Sequence, residues 1–179
     1  YEETGMFFPD EKQYYFESRF LRRMKELNIS SFISYHNFLK TNPNRRDEFN
    51  KLISELTINE TSFFRNKPQF TALQNIVVPE IIKAREESVL KRMRIWSAGC
   101  SSGEEAYTIA MLLDELSAGP LKGWNLQVEG TDIDDAVLNK AKEDLYKKYA
   151  VKNMPDYYKQ RYIKETGDNY YIDESLKKI

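Results

Sequence analysis

Residues 94–115 read RIWSAGCSSGEEAYTIAMLLDE. The apolar run Ile95-Trp96-Ser97-Ala98 predicts a short strand, Gly99-Cys100-Ser101-Ser102-Gly103 a tight loop, and residues 104–116 a helix that buries Ala106, Ile109, Ala110, Leu113 and Leu116. Gly119-Pro120 ends that helix. Leu126-Gln127-Val128-Glu129-Gly130-Thr131 follows as a second strand, then Asp132-Ile133-Asp134 and a helix through about residue 145, with Asp134 or Asp135 as its cap. Strand, loop, helix, strand, helix is the opening of a parallel α/β sheet with right-handed crossovers.

The glycine loop admits three chemistries. Gly99 to Gly103 fits the G-x-S-x-G turn of serine hydrolases, but no histidine follows Ser101, and the single His36 lies far upstream in a helical stripe. A phosphate cradle fails because no Lys-Ser or Lys-Thr follows, and Glu104-Glu105 would repel the anion. The carboxylates instead suit a ligand that is cationic or rich in N–H and hydroxyl donors at the carboxyl ends of the strands, with Asp132 accepting the two hydroxyls of a ribose. A ribose with an amine and a sulfonium describes S-adenosylmethionine. Helix dipole and N-cap preferences also explain these acids, so an unspecified α/β domain stays open beside that reading. The serines are read as small residues permitting close backbone approach.

Composition sets the outer limits. Of 179 residues, 41% are hydrophobic and 31% charged, a globular balance with room for a real core. One cysteine excludes an internal disulfide and any multi-cysteine zinc site, and one histidine leaves little for histidine-rich metal or acid–base chemistry. A formal net charge of -1 argues against a general nucleic-acid binder, and no apolar run approaches the roughly 20 residues of a bilayer span. Residues 1–10 lack the pattern of a signal peptide, so the chain is read as cytoplasmic.

Upstream of the sheet the sequence is helical. Phe16, Phe20, Met24 and Leu27 recur at helical spacing over 11–27, with Arg19, Arg22 and Arg23 among them. Ser31 is a candidate N-cap for 32–39, and Phe49, Leu52, Ile53 and Leu56 mark a third helix after the Asn42-Pro43-Asn44 turn. Residues 57–66 have no period and form a loop. Phe70, Leu73, Val77, Ile81 and Ile82 resume a helix, bent or restarted at Pro79. Near the end, 155–162 suggests a helix and 170–172 a short strand.

Three segments together resemble one family. Asn59-Glu60-Thr61-Ser62-Phe63-Phe64-Arg65, then residues 95–108, then Thr131-Asp132-Ile133-Asp134 are similar, in order and spacing, to the chemotaxis receptor methyltransferases of the CheR family. The resemblance implies an α plus α/β architecture: a helical domain over 1–57, a linker loop and helix over 58–92, and over 93–179 the first part of a Rossmann-like methyltransferase sheet. It implies transfer of a methyl group from S-adenosylmethionine, leaving S-adenosylhomocysteine, to glutamates on the cytoplasmic helices of chemoreceptors. By motif position Asn59, Thr61, Arg65, Gly99, Glu105 and Asp132 become cofactor residues, with Arg65 also orienting the reacting groups. Arg19, Arg22 and Arg23 become a basic receptor-facing patch. Phe63 and Phe64 are read either as an apolar lid or as anchors of the loop in the core.

The family sheet continues further, with an Asn-Leu segment at the adenine and a Cys-Arg-Asn strand end. The chain is therefore expected to be a fragment that supplies the first two sheet strands, a short hairpin and half of the pocket, binds cofactor weakly or not at all alone and exposes a sheet edge prone to self-pairing. Two other readings remain: a noncatalytic receptor-binding module with the same motifs, and a methyltransferase acting on a different acceptor.

Overall fold

A computed structural model describes residues 4–7 and 9–179; Tyr1 to Glu3 and Phe8, within the stretch read for a signal peptide, lie outside it. The chain forms two compact units, one running to Ile58 and including Ile133–Ala136, the other comprising Asn59–Asp132 and Val137–Ile179.

The first unit is all helical. A 3-10 turn at Asp10–Lys12 leads into α1 (Gln13–Glu26), α2 (Phe32–Thr41) and α3 (Arg45–Leu56). Helix α1 stops because Asn28 adopts φ 56, and the N–H groups of Asn28 and Ile29 turn back to the carbonyls of Lys25 and Met24. That pattern satisfies two carbonyls the helix would otherwise leave open. Ser31 caps α2 by accepting from the Ser34 N–H at 3.1 Å. Met24, Tyr35, Leu52 and Leu56 form the core, with Phe16, Phe20, Leu27 and Leu39 packed around it. Asp134 is 1% exposed and accepts from Ser54 Oγ at 2.6 Å and Thr57 Oγ1 at 3.2 Å, while Asn50 Nδ2 donates to Asp135 at 2.9 Å.

The second unit begins with the loop after Ile58. Helix α4 (Lys67–Ala72) passes through a π turn at Leu73–Val77 into α5 (Val78–Ala84). The widened turn sits just ahead of Pro79, which has no N–H to give and whose ring crowds the carbonyl four residues back. The expected bend is therefore a local change of helix type. Strand β1 (Arg92–Ala98) and β2 (Asn125–Thr131) pair in parallel from Arg92↔Asn125 to Ala98↔Thr131, joined by α6 (Glu104–Ser117). On β1, Met93, Ile95 and Ser97 face inward while Arg92, Arg94 and Trp96 are exposed. Helix α7 (Asp135–Glu143) follows, its first turn capped by Asp134, which accepts the Ala136 N–H at 2.9 Å. It ends earlier than the periodicity suggested, because Asp144 takes φ 49 and Leu145 starts a strand.

The C-terminal stretch forms an antiparallel sheet of order β3 (Leu145–Tyr146), β5 (Asn169–Ile172), β4 (Ile163–Thr166), with α8 (Asp156–Tyr162) leading into β4. Phe63, Phe64, Met111, Leu112, Leu113, Tyr146 and Tyr162 sit at the centre of this unit's core. An all-α region followed by an α/β region is the architecture of the chain. Among the described residues, no helix is long and apolar enough to cross a membrane, and no group of three or more His, Cys, Asp or Glu is placed to hold a metal.

Candidate functional site

The loop at 99–103 closes over the end of β2. Gly99 and Cys100 both donate their N–H groups to the Thr131 carbonyl, at 2.8 and 2.9 Å. Gly99, Ser101 and Gly103 all take positive φ, at 72, 51 and 91, and such a sequence is sterically cheap only at glycine. At Gly103 an added Cβ would lie 2.9 Å from the Ala141 Cβ, and at Gly130 another would lie 2.9 Å from the Cys100 sulfur. Close approach is therefore the task of Gly103 and Gly130, whereas Gly99 supplies the positive φ alone.

The serines bind. Ser101 gives its N–H to Asp132 Oδ2 at 2.8 Å and its hydroxyl to the Asn59 carbonyl at 3.2 Å, so one residue joins the loop at 59–65 to the end of β2. Ser97, 2% exposed, donates to Glu105 Oε1 at 2.7 Å and fixes that carboxylate at the end of β1. The Ser101 and Ser102 hydroxyls, bonded to the Asn59 carbonyl and to Glu104, add hydrogen bonding to the expectation that the serines of this turn are small residues for close backbone approach. Side-chain bonding was not legible from spacing, although serine at the last inward position of a strand was a signal available in the sequence.

Glu104 and Glu105 part company. Adjacent helical residues differ in direction by about 100°, so only one can face the strand ends. Glu104 is 3% exposed, accepts from Ser102 Oγ at 2.8 Å, and its carboxyl is pushed up from the ordinary value mainly by burial. Of the two carboxylates inferred from sequence, Glu105 is the one held at the strand end. A carboxyl raised on folding binds protons more tightly in the folded state, so its contribution to stability is full below the unfolded carboxylate pKa and is lost as pH rises through the folded value. Glu104→Gln is expected to flatten that segment of the stability profile of the second unit. Urea unfolding at pH 4 to 8 measures it, and an unchanged slope would show that another group is responsible.

The loop at 59–65 is anchored from within. Phe63 is 0% and Phe64 5% exposed, and both belong to the core, which decides against the lid. The Phe63 N–H donates to the Ala150 carbonyl at 2.9 Å, and the Phe64 N–H to Thr108 Oγ1 at 3.2 Å. Phe64 holds φ 55, a conformation a bulky side chain rarely takes without tertiary support. Thr108 was not among the expected residues, yet it is 0% exposed and ties α6 to this loop. Thr61 is half-buried on the loop. Arg65 is exposed and donates through Nη1 to the Glu60 carbonyl.

Family comparisons agree with this arrangement of parts. Residues 59–179 match the family model described as CheR methyltransferase, SAM binding domain, and residues 1–57 the one described as CheR methyltransferase, all-alpha domain. The chain belongs to the CheR methyltransferase family. A chemotaxis protein methyltransferase of Borreliella burgdorferi is 34% identical over 100% of this chain and 63% of its own length. Chemotaxis protein methyltransferase 2 of Vibrio cholerae is 34% identical over 96% of the chain and 58% of its length. The Escherichia coli chemotaxis protein methyltransferase is 36% identical over 91% and 53%. The chain thus spans between 53% and 63% of the length of these CheR relatives.

Of the expected receptor-facing arginines, the helical unit exposes Arg22, which pairs with Glu55 at 2.9 Å, and half-exposes Arg19, whose guanidinium lies 3.4 Å from the Tyr15 ring centroid. Arg23 is not part of that surface. It is 6% exposed and forks onto Glu48 at 3.0 and 2.7 Å, a bond that holds its guanidinium well above the usual arginine value. Periodicity alone did not show this, because the partner lies on α3.

Proposed function

We propose that the protein transfers a methyl group from S-adenosylmethionine to glutamate side chains on the cytoplasmic helices of chemoreceptors, as part of chemotactic adaptation. The observation that carries the reading is the bridge at Ser101, which gathers Asn59 and Asp132 at the carboxyl ends of two parallel strands. Parallel α/β sheets take their ligands at that edge. The donor set fits this cofactor: a carboxylate at the end of each strand, and space at Gly99, where an added Cβ would meet nothing within 4 Å.

In this reading Asp132, aimed by the Ser101 N–H, accepts the ribose hydroxyls, and Glu105, anchored by Ser97, receives the amine of the methionine end. Asn59 and Thr61 contribute from the loop, and Arg65 orients the reacting carboxylate. When bound, S-adenosylmethionine supplies a methyl group activated by a positive sulfur. The acceptor glutamate, with a reference pKa of about 4.3, is already anionic at neutral pH, so the chain need provide no general base. Its work is to align and to exclude water.

Asp132→Ala is expected to weaken S-adenosylhomocysteine binding about 10- to 100-fold in the full-length protein, the scale of losing charged hydrogen bonds. Titration calorimetry reads this directly. Unchanged affinity would remove the ribose assignment. Radiolabelled methyl transfer to receptor glutamates separates this function from a noncatalytic module, and mapping the labelled residue separates it from a different acceptor.

A further inference from the structure

Two segments of the second unit carry the same sign of charge on exposed side chains. Residues 59–67 hold Arg65 and Lys67 with Glu60 as their one acid, and residues 145–152 hold Lys147, Lys148 and Lys152 with none. Like charges separate unless something holds them. Here the segments are fastened: the Phe63 N–H bonds the Ala150 carbonyl at 2.9 Å and Asn153 Nδ2 bonds Ser62 Oγ at 3.2 Å. Phe63 and Val151 anchor both sides in the core.

At the join lies a carboxylate already bound. Tyr149, 52% exposed, donates its hydroxyl to Glu60 Oε1 at 2.6 Å, and the Lys152 ammonium stands 3.6 Å from the Tyr149 ring centroid. The Tyr149 hydroxyl, and then the Arg65 charge with a smaller share from Lys152, hold the fully exposed Glu60 carboxyl below its ordinary value. The cluster shows on the chain's own side chain that it can receive a carboxylate. The neighbouring Asn59 carbonyl is bonded by Ser101, so the cluster adjoins the cofactor turn.

We propose that residues 59–67 and 145–152 together form the docking surface for an acidic acceptor segment, in which Tyr149 and Lys152 receive its carboxylates beside Arg65 and Lys148 selects acidic flanks. The partner is an acidic peptide segment. Its identity as methyl acceptor rests on the function proposed above, whereas its docking does not. Complementary charge at such a rim speeds encounter and is weakened by salt.

The probe is a fluorescent synthetic peptide of roughly 20 residues rich in glutamate, titrated by anisotropy against the full-length protein at low salt. The double variant K148E/K152E is expected to weaken binding about tenfold and Tyr149→Phe about threefold, with the salt dependence reduced in the first. Glu60→Gln is expected to tighten binding about threefold, because it removes the competing internal carboxylate. A charge-matched control, K83E/K122E on α5 and on the turn after α6, should change affinity by less than about twofold. No binding by the wild type, no loss in K148E/K152E, or an equal loss in the control would overturn the surface. Methyl transfer to receptor glutamates by the full-length protein is scored separately: its absence would sink the proposed function and leave the docking result standing.

Discussion

Replacing Glu48 with glutamine is expected to lower the stability of the helical unit by about 3–5 kcal/mol, the cost of leaving one member of a buried ion pair without its partner. Glu48 is 3% exposed and accepts from Arg23 twice and from the Tyr35 hydroxyl at 2.7 Å. Arg23 also reaches Glu26, so part of its charge stays compensated from the same helix. Glutamine keeps the volume but directs an amide toward donors. Burial and the bond to Glu48 both push the Tyr35 hydroxyl well above its usual value, so it remains a donor at any working pH. Domains are stable by about 5–15 kcal/mol, so such a loss leaves a large unfolded fraction. Urea denaturation followed by circular dichroism measures it. The exposed pair of Arg22 with Glu55 is the comparison, where Arg22→Ala should change stability by less than about 1 kcal/mol. Equal losses in the two variants would show that burial of the pair contributes nothing.

Phe63→Ala is expected to cost the second unit about 3–5 kcal/mol, the range for emptying a fully buried aromatic site. The ring meets Tyr146 edge-on, with centroids 4.8 Å apart, and no part of it reaches solvent. Loss of the ring also frees the loop that carries Asn59, Thr61 and Arg65. Amide exchange at residues 59–65 should therefore rise before global unfolding. Phe63→Leu, which keeps most of the volume, should retain both stability and protection. A Phe63→Ala protein with native stability and a protected loop would show that the loop is held by its backbone bonds alone.

Much of the architecture was legible because local signals agreed with tertiary demand. Ser31 caps the helix it was expected to cap, and the apolar period of α3 names three of its four buried residues, Leu52, Ile53 and Leu56. The glycine loop was readable as a backbone device because a strand and a helix flank it. What escaped the sequence depends on partners distant along the chain. Arg23 looks like its neighbour Arg22 until Glu48 is brought beside it. Glu104 and Glu105 are chemically identical, and only the rotation of α6 about its axis decides which is buried. Phe63 and Phe64 suit a lid as well as a core; the bonds to Ala150 and Thr108 settle the matter. Strand β4 escaped because Ile163-Lys164-Glu165-Thr166 holds one apolar residue and exposes the other three, whereas β5, of the same length, shows Tyr170-Tyr171-Ile172.

The route of the chain through the short segment Ile133–Ala136 bears on how such a protein can be inherited. These residues are encoded between two parts of the second unit yet belong with the helical one, where Asp134 takes hydrogen bonds from Ser54 and Thr57. A recombination event that brought in a foreign helical domain ending at residue 58 would import the helices without their matching aspartate. Unless the newcomer also offered hydroxyls where Ser54 and Thr57 stand, a buried carboxylate would lose two of its donors. Lineages are thus expected to exchange both units as one piece of genetic material, with breakpoints falling outside them.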